Sequence, residues 1–575
     1  MQAQPTADPS AGSPLWLILL AAILTASLAL FIGSPSQRLP FDRLPTSTTN
    51  DVQTHAELIA SAAEAQQEGA FPYLEAARVF SPDPQRYPEL QRYPVFQFYA
   101  WLPYHLAAPL LRLGLAPYPA LVWMIFFSFV AGFVGAYGLA RQAGSSGGSA
   151  LVCALAFSLA PYHLTDVFGR YAYPEIFCFG LMPWVFWGAL ACAHRKGLGP
   201  FLACSLGLWA LILSHNVFHL WTLAVLGLLL VHERWARNPR GFSLLRPALA
   251  YALALTAGLF FFAGPLKLGS QFSFNPTVYL SLSPAWVLLS PLWAQAPSAS
   301  SAPQLGLQVG WAFLAAFLFV GWKFRHQLGR QGAWLLAAGL GLLVWCPWNL
   351  WAWMGPFKVL QYPYRLLLYV SVLGTLLLAQ GLQGLAAPQR KKALGVLGLF
   401  IVLSSFSWKR AEFRQPAAEM AEHWQENGVF FRNGLDYLVN AGALQRQDPR
   451  LNLDPQRPMH EIALPQKLAM LTDKKTGPQS LQARYGVTSQ IDVSVREPGN
   501  ILVLPWAWYP GLYELQLNGG QQSAQFIGPK VAVPLPAGHS FLTLRYRGFP
   551  WAQRLSALAC LLWFGLLIVA LVRRR

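Results

Sequence analysis

Long apolar runs separated by short polar connections dominate the first 408 residues of the chain. Such runs predict membrane-spanning helices, because a span needs about 20 mostly apolar residues. We predict about twelve spans. They cover residues 15–32, 118–140, 148–160, 173–193, 199–213, 217–232, 247–266, 305–322, 333–350, 362–382, 393–408 and 552–572. The first lacks a basic leading segment, which favours an uncleaved anchor over a cleaved signal peptide.

The polar segment after the first span predicts elements that lie on the membrane surface. Thr49 or Asn50 can cap a helix that runs to about Glu68, with an apolar stripe formed by Val52, Ala56, Ile59 and Ala63. The run Val95–Leu115 contains prolines, tyrosines and a histidine, which suit an interfacial helix better than a lipid-facing span. We therefore expect a membrane domain over residues 1–408, with interfacial helices in the outer loop 34–117.

Residues 409–550 form the one sizeable polar region and predict an extracytoplasmic α+β domain. Its first half favours a helix around Glu412–Asn427. Its second half, 485–550, predicts a small antiparallel β-sandwich, because short apolar runs alternate with Gly/Pro/Asn turns. The expected strands are Ile501–Leu504, Tyr513–Leu517, Gln525–Ile527, Lys530–Leu535 and Phe541–Tyr546. Residues 551–575 supply the last span and a basic tail.

Composition and charge exclude a soluble protein and set an expected orientation. Hydrophobic residues make up 54% of the chain and charged residues only 11%, against about 25% charged in soluble domains. The net charge of +18 does not indicate nucleic-acid binding, because the basic residues do not form one face of a soluble domain. They fill short connections between spans, which indicates cytoplasmic loops. We expect both termini to be cytoplasmic, in a bacterial inner membrane.

The chain lacks the sequence motifs that are typical of several reaction classes. The chain has no P-loop, no G-x-G-x-x-G before a helix, no H-E-x-x-H and no G-x-S-x-G. The six cysteines lie in or beside apolar runs, so neither a disulfide framework nor a thiolate metal site is indicated. Catalytic acids on the outer side would not meet soluble nucleotide-activated substrates. A lipid-linked donor would remove that difficulty.

The first candidate site is Asp51 with His55. They are four residues apart at the start of the predicted surface helix, so they share one helix face. Asp51 could accept a proton from an acceptor hydroxyl, while His55 orients it or binds phosphate. Alternatively, Asp51 only favours the positive end of the helix dipole.

The second candidate is a short outer loop that carries His163, Asp166, Arg170 and Glu175 between two spans. Charges this close to the hydrocarbon usually pair or line a polar cavity. The alternative is a purely structural ion pair between Asp166 and Arg170.

Two further candidates lie at span ends. His215 and Asn216 occupy a tight outer turn, where they could bind a lipid headgroup or cap a helix. Arg365 lies about one turn inside a span, with Lys358 nearby. A guanidinium at that depth either binds an anion such as phosphate or snorkels to the membrane surface.

The order of these motifs resembles the GT-C superfamily of polyprenyl-phosphate-sugar-dependent glycosyltransferases. One span is followed by an outer loop that opens with Asp on an interfacial helix, then by many spans and an outer C-terminal domain. More narrowly, the motifs are similar to bacterial membrane proteins labelled 6-pyruvoyl-tetrahydropterin-synthase-related. They are Asn50-Asp51…His55, Tyr93-Pro94…Leu102-Pro103-Tyr104, Ser158…Pro161-Tyr162…Asp166…Arg170…Pro174-Glu175, Ser214-His215-Asn216 and Gln361-Tyr362-Pro363-Tyr364-Arg365. The tail Leu504…Gly511 through His539 resembles their outer sandwich.

The resemblance implies roles for the candidate residues. Asp51 would be the catalytic base, with His55 beside it and Glu175 or Asp166 as a second acid. Arg365 would bind the donor phosphate. From their positions near the outer ends of spans, we also expect Lys358 and Arg170 to bind this phosphate, and Asp166, His163, His215 and Asn216 to face the acceptor or headgroup. The family often has two adjacent acids in the outer loop, whereas Asn50-Asp51 supplies one carboxylate. Use of a divalent metal therefore stays open, and no other cofactor is expected.

We therefore expect an integral membrane glycosyltransferase that moves a sugar from a polyprenyl-phosphate donor to a glycan or protein acceptor outside the cytoplasm. One alternative is a transporter or flippase of lipid-linked sugars, which would need no base at Asp51. Another is a non-catalytic assembly factor whose outer domain binds a glycan or a partner. The sequence specifies neither the sugar nor the acceptor.

Overall fold

The computed structural model describes most of the membrane body and the C-terminal strands. The described residues are 13–33, 43–44, 51–67, 72–74, 94–195, 197–237, 241–268, 308–345, 353–354, 357, 360, 362–406, 415–416, 469–471, 480–484, 488–496, 498, 500–507, 511–522, 525–527 and 530–572.

Helices make up the membrane body. They are α1 (Leu15–Gly33), α2 (Asp51–Gln67), α3 (Val95–Phe98), α4 (Leu102–Arg112), α5 (Pro117–Gln142), α6 (Gly147–Ser158), α7 (Pro161–Thr165), α8 (Tyr173–His194), α9 (Leu198–Ser214), α10 (Asn216–His232), α11 (Leu245–Ala257), α12 (Leu259–Leu268), α13 (Trp311–Lys323), α14 (Gly332–Trp345), α15 (Leu367–Gln383), α16 (Ala387–Ser405) and α17 (Pro550–Val572). A π turn, Asp166–Arg170, follows α7, and a 3₁₀ turn, Pro363–Leu366, leads into α15.

Seven helical segments of the described chain are long and apolar enough to cross a membrane. An eighth arises if α11 and α12, which meet at an angle of 81°, count as one broken span. The predicted number of twelve is not confirmed, because α9, α13 and α14 are shorter than a perpendicular span and α16 carries three basic residues in its first turns. The run Val95–Leu115 forms the short helices α3 and α4 and contributes no span.

Helices α8 and α15 lie at the centre of the body, and almost all of their residues are buried. Helix α8 packs between α5 and α9, where small residues allow close approach. A Cβ atom at Gly180 would lie only 2.6 Å from Ser128 Oγ, so a larger residue would push α5 and α8 apart. By contrast, α17 exposes large apolar side chains such as Leu558, Leu561 and Phe564, as expected of a helix that faces lipid.

The C-terminal strands form two antiparallel sheets. The strands are β1 (Arg43–Leu44), β2 (Gln415–Pro416), β3 (Ala469–Leu471), β4 (Ser480–Arg484), β5 (Thr488–Val495), β6 (Asn500–Ala507), β7 (Tyr513–Leu517), β8 (Gly520–Gln521), β9 (Gln525–Ile527), β10 (Lys530–Leu535) and β11 (Gly538–Tyr546). The strand orders are β3-β6-β10-β9 and β4-β5-β11-β7-β8, while β1 pairs with β2. All five predicted strands are confirmed as β6, β7, β9, β10 and β11, and the other six described strands are additional.

The helix predicted around Glu412–Asn427 is wrong where the structure describes it. Gln415 and Pro416 form strand β2 and pair with Leu44 and Arg43 of the outer loop. Pro416 disfavours a helical conformation in the residue before it, which explains the difference. The rest of that predicted helix lies outside the described residues.

Gln97 connects the outer sheet to the membrane body. Gln97 of α3 is fully buried, and its amide donates to the carbonyl oxygens of Phe260 (3.1 Å) and Phe261 (2.6 Å) in α12. Its side-chain oxygen accepts a hydrogen bond from the hydroxyl of Tyr546, at the end of β11 (2.7 Å). The outer sheet, α3 and the broken span therefore share one polar contact.

Backbone groups at the break between α11 and α12 form hydrogen bonds with a side chain of the last helix, α17. Ser556 Oγ accepts a hydrogen bond from the backbone N–H of Phe260 (2.9 Å) and donates to the carbonyl of Thr256 (3.1 Å). We expect Ser556→Ala to lower the free energy of unfolding by about 1–3 kcal/mol, because a buried N–H then lacks an acceptor. Thermal unfolding in detergent measures this loss.

The matched control is Thr256→Ala, whose hydroxyl bonds only the Ala252 carbonyl of its own helix (2.8 Å). Equal stability of the Ser556→Ala protein and the wild type would show that this contact does not support the break.

Candidate functional site

Four charged side chains meet inside the membrane body: Asp166, Arg170, Glu175 and Arg365. We call them the charge cluster. Asp166 and Arg170 begin and end the π turn, Glu175 lies in the first turn of α8, and Arg365 lies in the 3₁₀ turn before α15. The most exposed of their side chains, that of Arg365, keeps only 11% of its surface accessible. The sequence analysis named all four, and the fold brings them together.

The local chain conformation sets the positions of Arg170 and Glu175. Tyr171 adopts a left-handed conformation (φ 55°) directly after the π turn, which reverses the chain between Arg170 and α8. Pro174 then occupies the first turn of α8, where its missing N–H is no loss. The side chains of Arg170 and Glu175, which are five positions apart in the sequence, consequently face each other.

Glu175 is the centre of the charge cluster. Its carboxylate receives two hydrogen bonds from Arg170, from Nη1 to Oε2 (2.7 Å) and from Nη2 to Oε1 (2.9 Å). Arg365 approaches the same carboxylate, with Nε 2.6 Å from Oε1. This contact excludes the snorkelling alternative for Arg365, since its guanidinium faces an internal anion.

Three tyrosines support the two guanidiniums. The hydroxyl of Tyr162 lies between Glu175 Oε2 (3.3 Å) and Arg170 Nη1 (3.2 Å). The ring of Tyr364 lies 5.1 Å from the Arg170 guanidinium, and the ring of Tyr362 lies 5.0 Å from that of Arg365. Guanidiniums over tyrosine faces are attracted by the ring quadrupole, more strongly where water is excluded.

Asp166 completes the charge balance. Its Oδ1 accepts a hydrogen bond from Arg170 Nη1 (2.7 Å), so the predicted i, i+4 ion pair is confirmed. Its buried Oδ2 has no hydrogen-bond partner among the described residues. The formal charges of the two guanidiniums and the two carboxylates cancel within the cluster.

Helix α2 carries the first candidate site and is buried more completely than a single apolar stripe predicts. Residues 54–59 are all buried, including Glu57, because the helix packs against α4 and α5. The helix begins at Asp51 and ends at Gln67, which confirms its predicted extent. The predicted apolar stripe is buried, and the burial extends to polar residues of the helix beyond the stripe.

His55 lies beside two tyrosines that the sequence analysis did not assign. Its Nδ1 is 2.8 Å from the hydroxyl of Tyr104, and its ring meets that of Tyr173 edge-on, with centroids 6.0 Å apart. Burial lowers the pKa of His55 to about 3, and the nearby Glu175 carboxylate opposes this shift only in part. His55 is therefore neutral at physiological pH and within electrostatic reach of the charge cluster.

The turn between α9 and α10 approaches the same region. His215 interacts electrostatically with Arg365 and Glu175, and its ring packs against Phe218 at 4.7 Å. The amide of Asn216 donates to the Phe98 carbonyl (2.9 Å), so Asn216 ties α10 to α3. The helix-capping alternative for Asn216 is wrong, because Asn216 is the first residue of α10 and His215 holds the capping position without a side-chain hydrogen bond.

His163 has the surroundings of a packed core residue. Its ring is stacked between Phe129 (4.3 Å) and Phe179 (4.2 Å), and its Nδ1 lies 3.0 Å from the Ser158 carbonyl. Its predicted headgroup role stays a prediction.

Two predicted site residues cannot be placed in this geometry. The side chain of Asp51 and the whole of Lys358 lie outside the described residues. The described part of the chain contains no group of three or more His, Cys, Asp or Glu side chains suited to a metal ion.

No family model matches the sequence, and no curated protein matches it either. Solved structures of membrane glycosyltransferases are similar. The arabinofuranosyltransferase AftD from Mycobacteria has 18% identity and a TM-score of 0.47, over 72% of this chain and 29% of that one. The Archaeoglobus fulgidus oligosaccharyltransferase has 13% identity and a TM-score of 0.40, over 73% and 58%. ArnT from Cupriavidus metallidurans, bound to undecaprenyl phosphate, has 14% identity and a TM-score of 0.38. The match covers 66% of this chain and 62% of that one.

The chain spans less than two thirds of the length of each of these structures.

The buried histidines make stability depend on pH. His105 accepts a hydrogen bond from Gln66 (3.2 Å), and burial lowers its pKa to about 3. An unfolded histidine has a pKa of about 6.5, so the unfolded state binds more protons as the pH falls below that value. We expect the unfolding temperature in detergent to fall between pH 7 and pH 5, with about 2 kcal/mol lost at pH 5 for each such histidine.

His105→Gln should be less stable at pH 7 and should show a smaller decrease on acidification. The control is His326→Gln, at an exposed position in the turn after α13, which should follow the wild type. If His105→Gln and the wild type lose stability equally, protonation of His105 does not contribute.

Proposed function

We propose that the protein is a membrane glycosyltransferase that moves a sugar from a polyprenyl-phosphate donor to an acceptor on the extracytoplasmic side. The observation that carries this proposal is the charge cluster, in which Arg170, in the turn before α8, and Arg365, in the turn before α15, contact one buried carboxylate. Ionisable groups this deep in a membrane body mark functional sites, because their burial is costly.

The donor phosphate is assigned to Arg365 and Arg170. The N-terminus of α15 adds a partial positive charge to the guanidinium of Arg365, which lies in the turn that leads into that helix. A planar guanidinium binds phosphate oxygens in pairs and stabilises the charge that develops on a leaving phosphate. Lys358, seven residues before Arg365 in the sequence, is proposed as a further cation for the same group.

The acceptor is assigned to the start of α2. Asp51 takes the proton of the acceptor hydroxyl, and the acceptor oxygen forms a bond to the anomeric carbon of the sugar. The bond from that carbon to the phosphate oxygen breaks, and polyprenyl phosphate leaves with the electron pair. His55, four residues after Asp51 and hydrogen-bonded to Tyr104, is proposed to orient the acceptor or the carboxylate.

Other residues complete the proposed site. Asp166 offers its second carboxylate oxygen to a hydroxyl of the sugar or acceptor. His215 and Asn216 line the side formed by α10 and α3. The short helices α3 and α4 and the buried helix α2 exclude water, which favours transfer to the acceptor over hydrolysis. The single acid at Asp51 leaves metal use open.

The orientation follows the positive-inside rule. The connections that carry Arg141, Arg195, Arg246 and Lys323 lie at one end of the helices, and we assign that end to the cytoplasm. Both termini are then cytoplasmic, and α2, the charge cluster and the sheets face outward. The location proposed is a bacterial inner membrane.

Asp51→Asn should reduce turnover by about 10²–10⁴-fold, because a general base contributes that much to proton transfer. The measurement is sugar transfer from a short-chain polyprenyl-phosphate sugar by the purified variant. The matched control is Glu64→Gln, in the same helix but three turns later. Turnover by Asp51→Asn at the wild-type rate would remove Asp51 from the mechanism.

The orientation is testable with single cysteines at exposed positions. Gln67→Cys, at the end of α2, should react with an impermeant thiol reagent in intact spheroplasts. His326→Cys, in the turn after α13, should react only after lysis. The wild type serves as background control, because its described cysteines lie within helices. The reverse pattern would place the charge cluster on the cytoplasmic side and contradict the proposal.

A further inference from the structure

We infer that Glu175 is a positioning residue that holds Arg170 and Arg365 side by side, so that both guanidiniums face one donor phosphate. This inference rests on the proposed function and gives Glu175 a role other than that of a second catalytic acid. It also explains why a carboxylate lies where an anionic ligand is to bind.

Glu175 joins two separate chain segments, each of which carries one arginine. Arg170 precedes α8 directly, whereas Arg365 belongs to a turn far along the chain, and their guanidiniums would repel each other without an intervening anion. Glu175 is 2% exposed, and both guanidiniums contact its Oε1. One carboxylate therefore fixes the separation of two cations.

The contacts of Glu175 leave it badly placed to accept a proton. An ionised carboxylate has about four lone-pair sites. Glu175 accepts three hydrogen bonds, two from Arg170 and one from the hydroxyl of Tyr162, and it makes an ion-pair contact with Nε of Arg365. An acceptor hydroxyl would have to displace one of them. The second oxygen of Asp166, in contrast, has no partner among the described residues.

A positioning role and a purely electrostatic role predict opposite effects of Glu175→Gln on phosphate binding. Glu175→Gln removes a negative charge beside the proposed phosphate site, so electrostatics alone would tighten phosphate binding. If Glu175 positions the guanidiniums, the same change lets them separate, and phosphate binding weakens despite the added positive charge.

The test measures the affinity of the purified protein in nanodiscs for a short-chain polyprenyl phosphate, together with donor KM and kcat. We expect Glu175→Gln to weaken phosphate binding by about 10- to 100-fold, the range for losing a hydrogen bond to a charged group. Cys178→Ala, one turn later in α8, is the matched control and should bind as the wild type does.

A double-mutant cycle with Arg365→Lys separates positioning from a general loss of structure. Glu175→Gln should have a much smaller effect in the Arg365→Lys background, because the guanidinium that it positions is already absent. Additive effects would overturn the inference. If Glu175→Gln does not fold, Tyr162→Phe removes one hydroxyl contact of Glu175 and should weaken phosphate binding in the same direction.

The remaining outcomes are distinguishable. Unchanged or tighter phosphate binding by folded Glu175→Gln, or unchanged binding by Tyr162→Phe, overturns the positioning role and leaves the proposed function standing. A wild type that neither binds polyprenyl phosphate nor transfers sugar overturns both.

Discussion

The ion pairs of Glu175 constrain the centre of the molecule. Burying four charged groups is costly unless each is paired, so α8, the π turn before it and the turn before α15 must keep their positions. The surrounding tyrosines and the close approach of α5 to α8 at Gly180 hold these segments in place. Removing one partner would leave a buried charge unpaired, which explains why the elements that carry the cluster are the most buried helices of the body.

A second set of polar contacts extends this constraint toward the outer sheets. The amide of Asn216 donates a hydrogen bond to the carbonyl of Phe98 in α3. Gln97, also in α3, donates to a carbonyl of α12 and accepts from the hydroxyl of Tyr546. Helix α3 thus contacts the turn beside the charge cluster, the broken span and the last strand.

Sequence patterns predicted local elements better than contacts between distant ones. The helix from Asp51 to Gln67 and all five expected strands follow from caps, periodicity and turn residues, which act within a few positions. Strand β5 was missed although Ile491, Val493 and Val495 alternate with polar residues, a signal that was available. The pairing of Glu175 with Arg365 and the contact of His55 with Tyr104 depend on tertiary packing, so the residue types indicated chemistry without indicating partners.

The central claim is that the two guanidiniums held by Glu175 bind the donor phosphate. The most direct measurement is a cryo-EM structure of the wild-type protein in nanodiscs with a short-chain polyprenyl phosphate. The account predicts phosphate oxygens about 2.7–2.9 Å from the guanidinium nitrogens of Arg365, the distance of a charge-assisted hydrogen bond. A well-resolved phosphate bound elsewhere, with Arg365 and Arg170 contacting only Glu175 and Asp166, would contradict it.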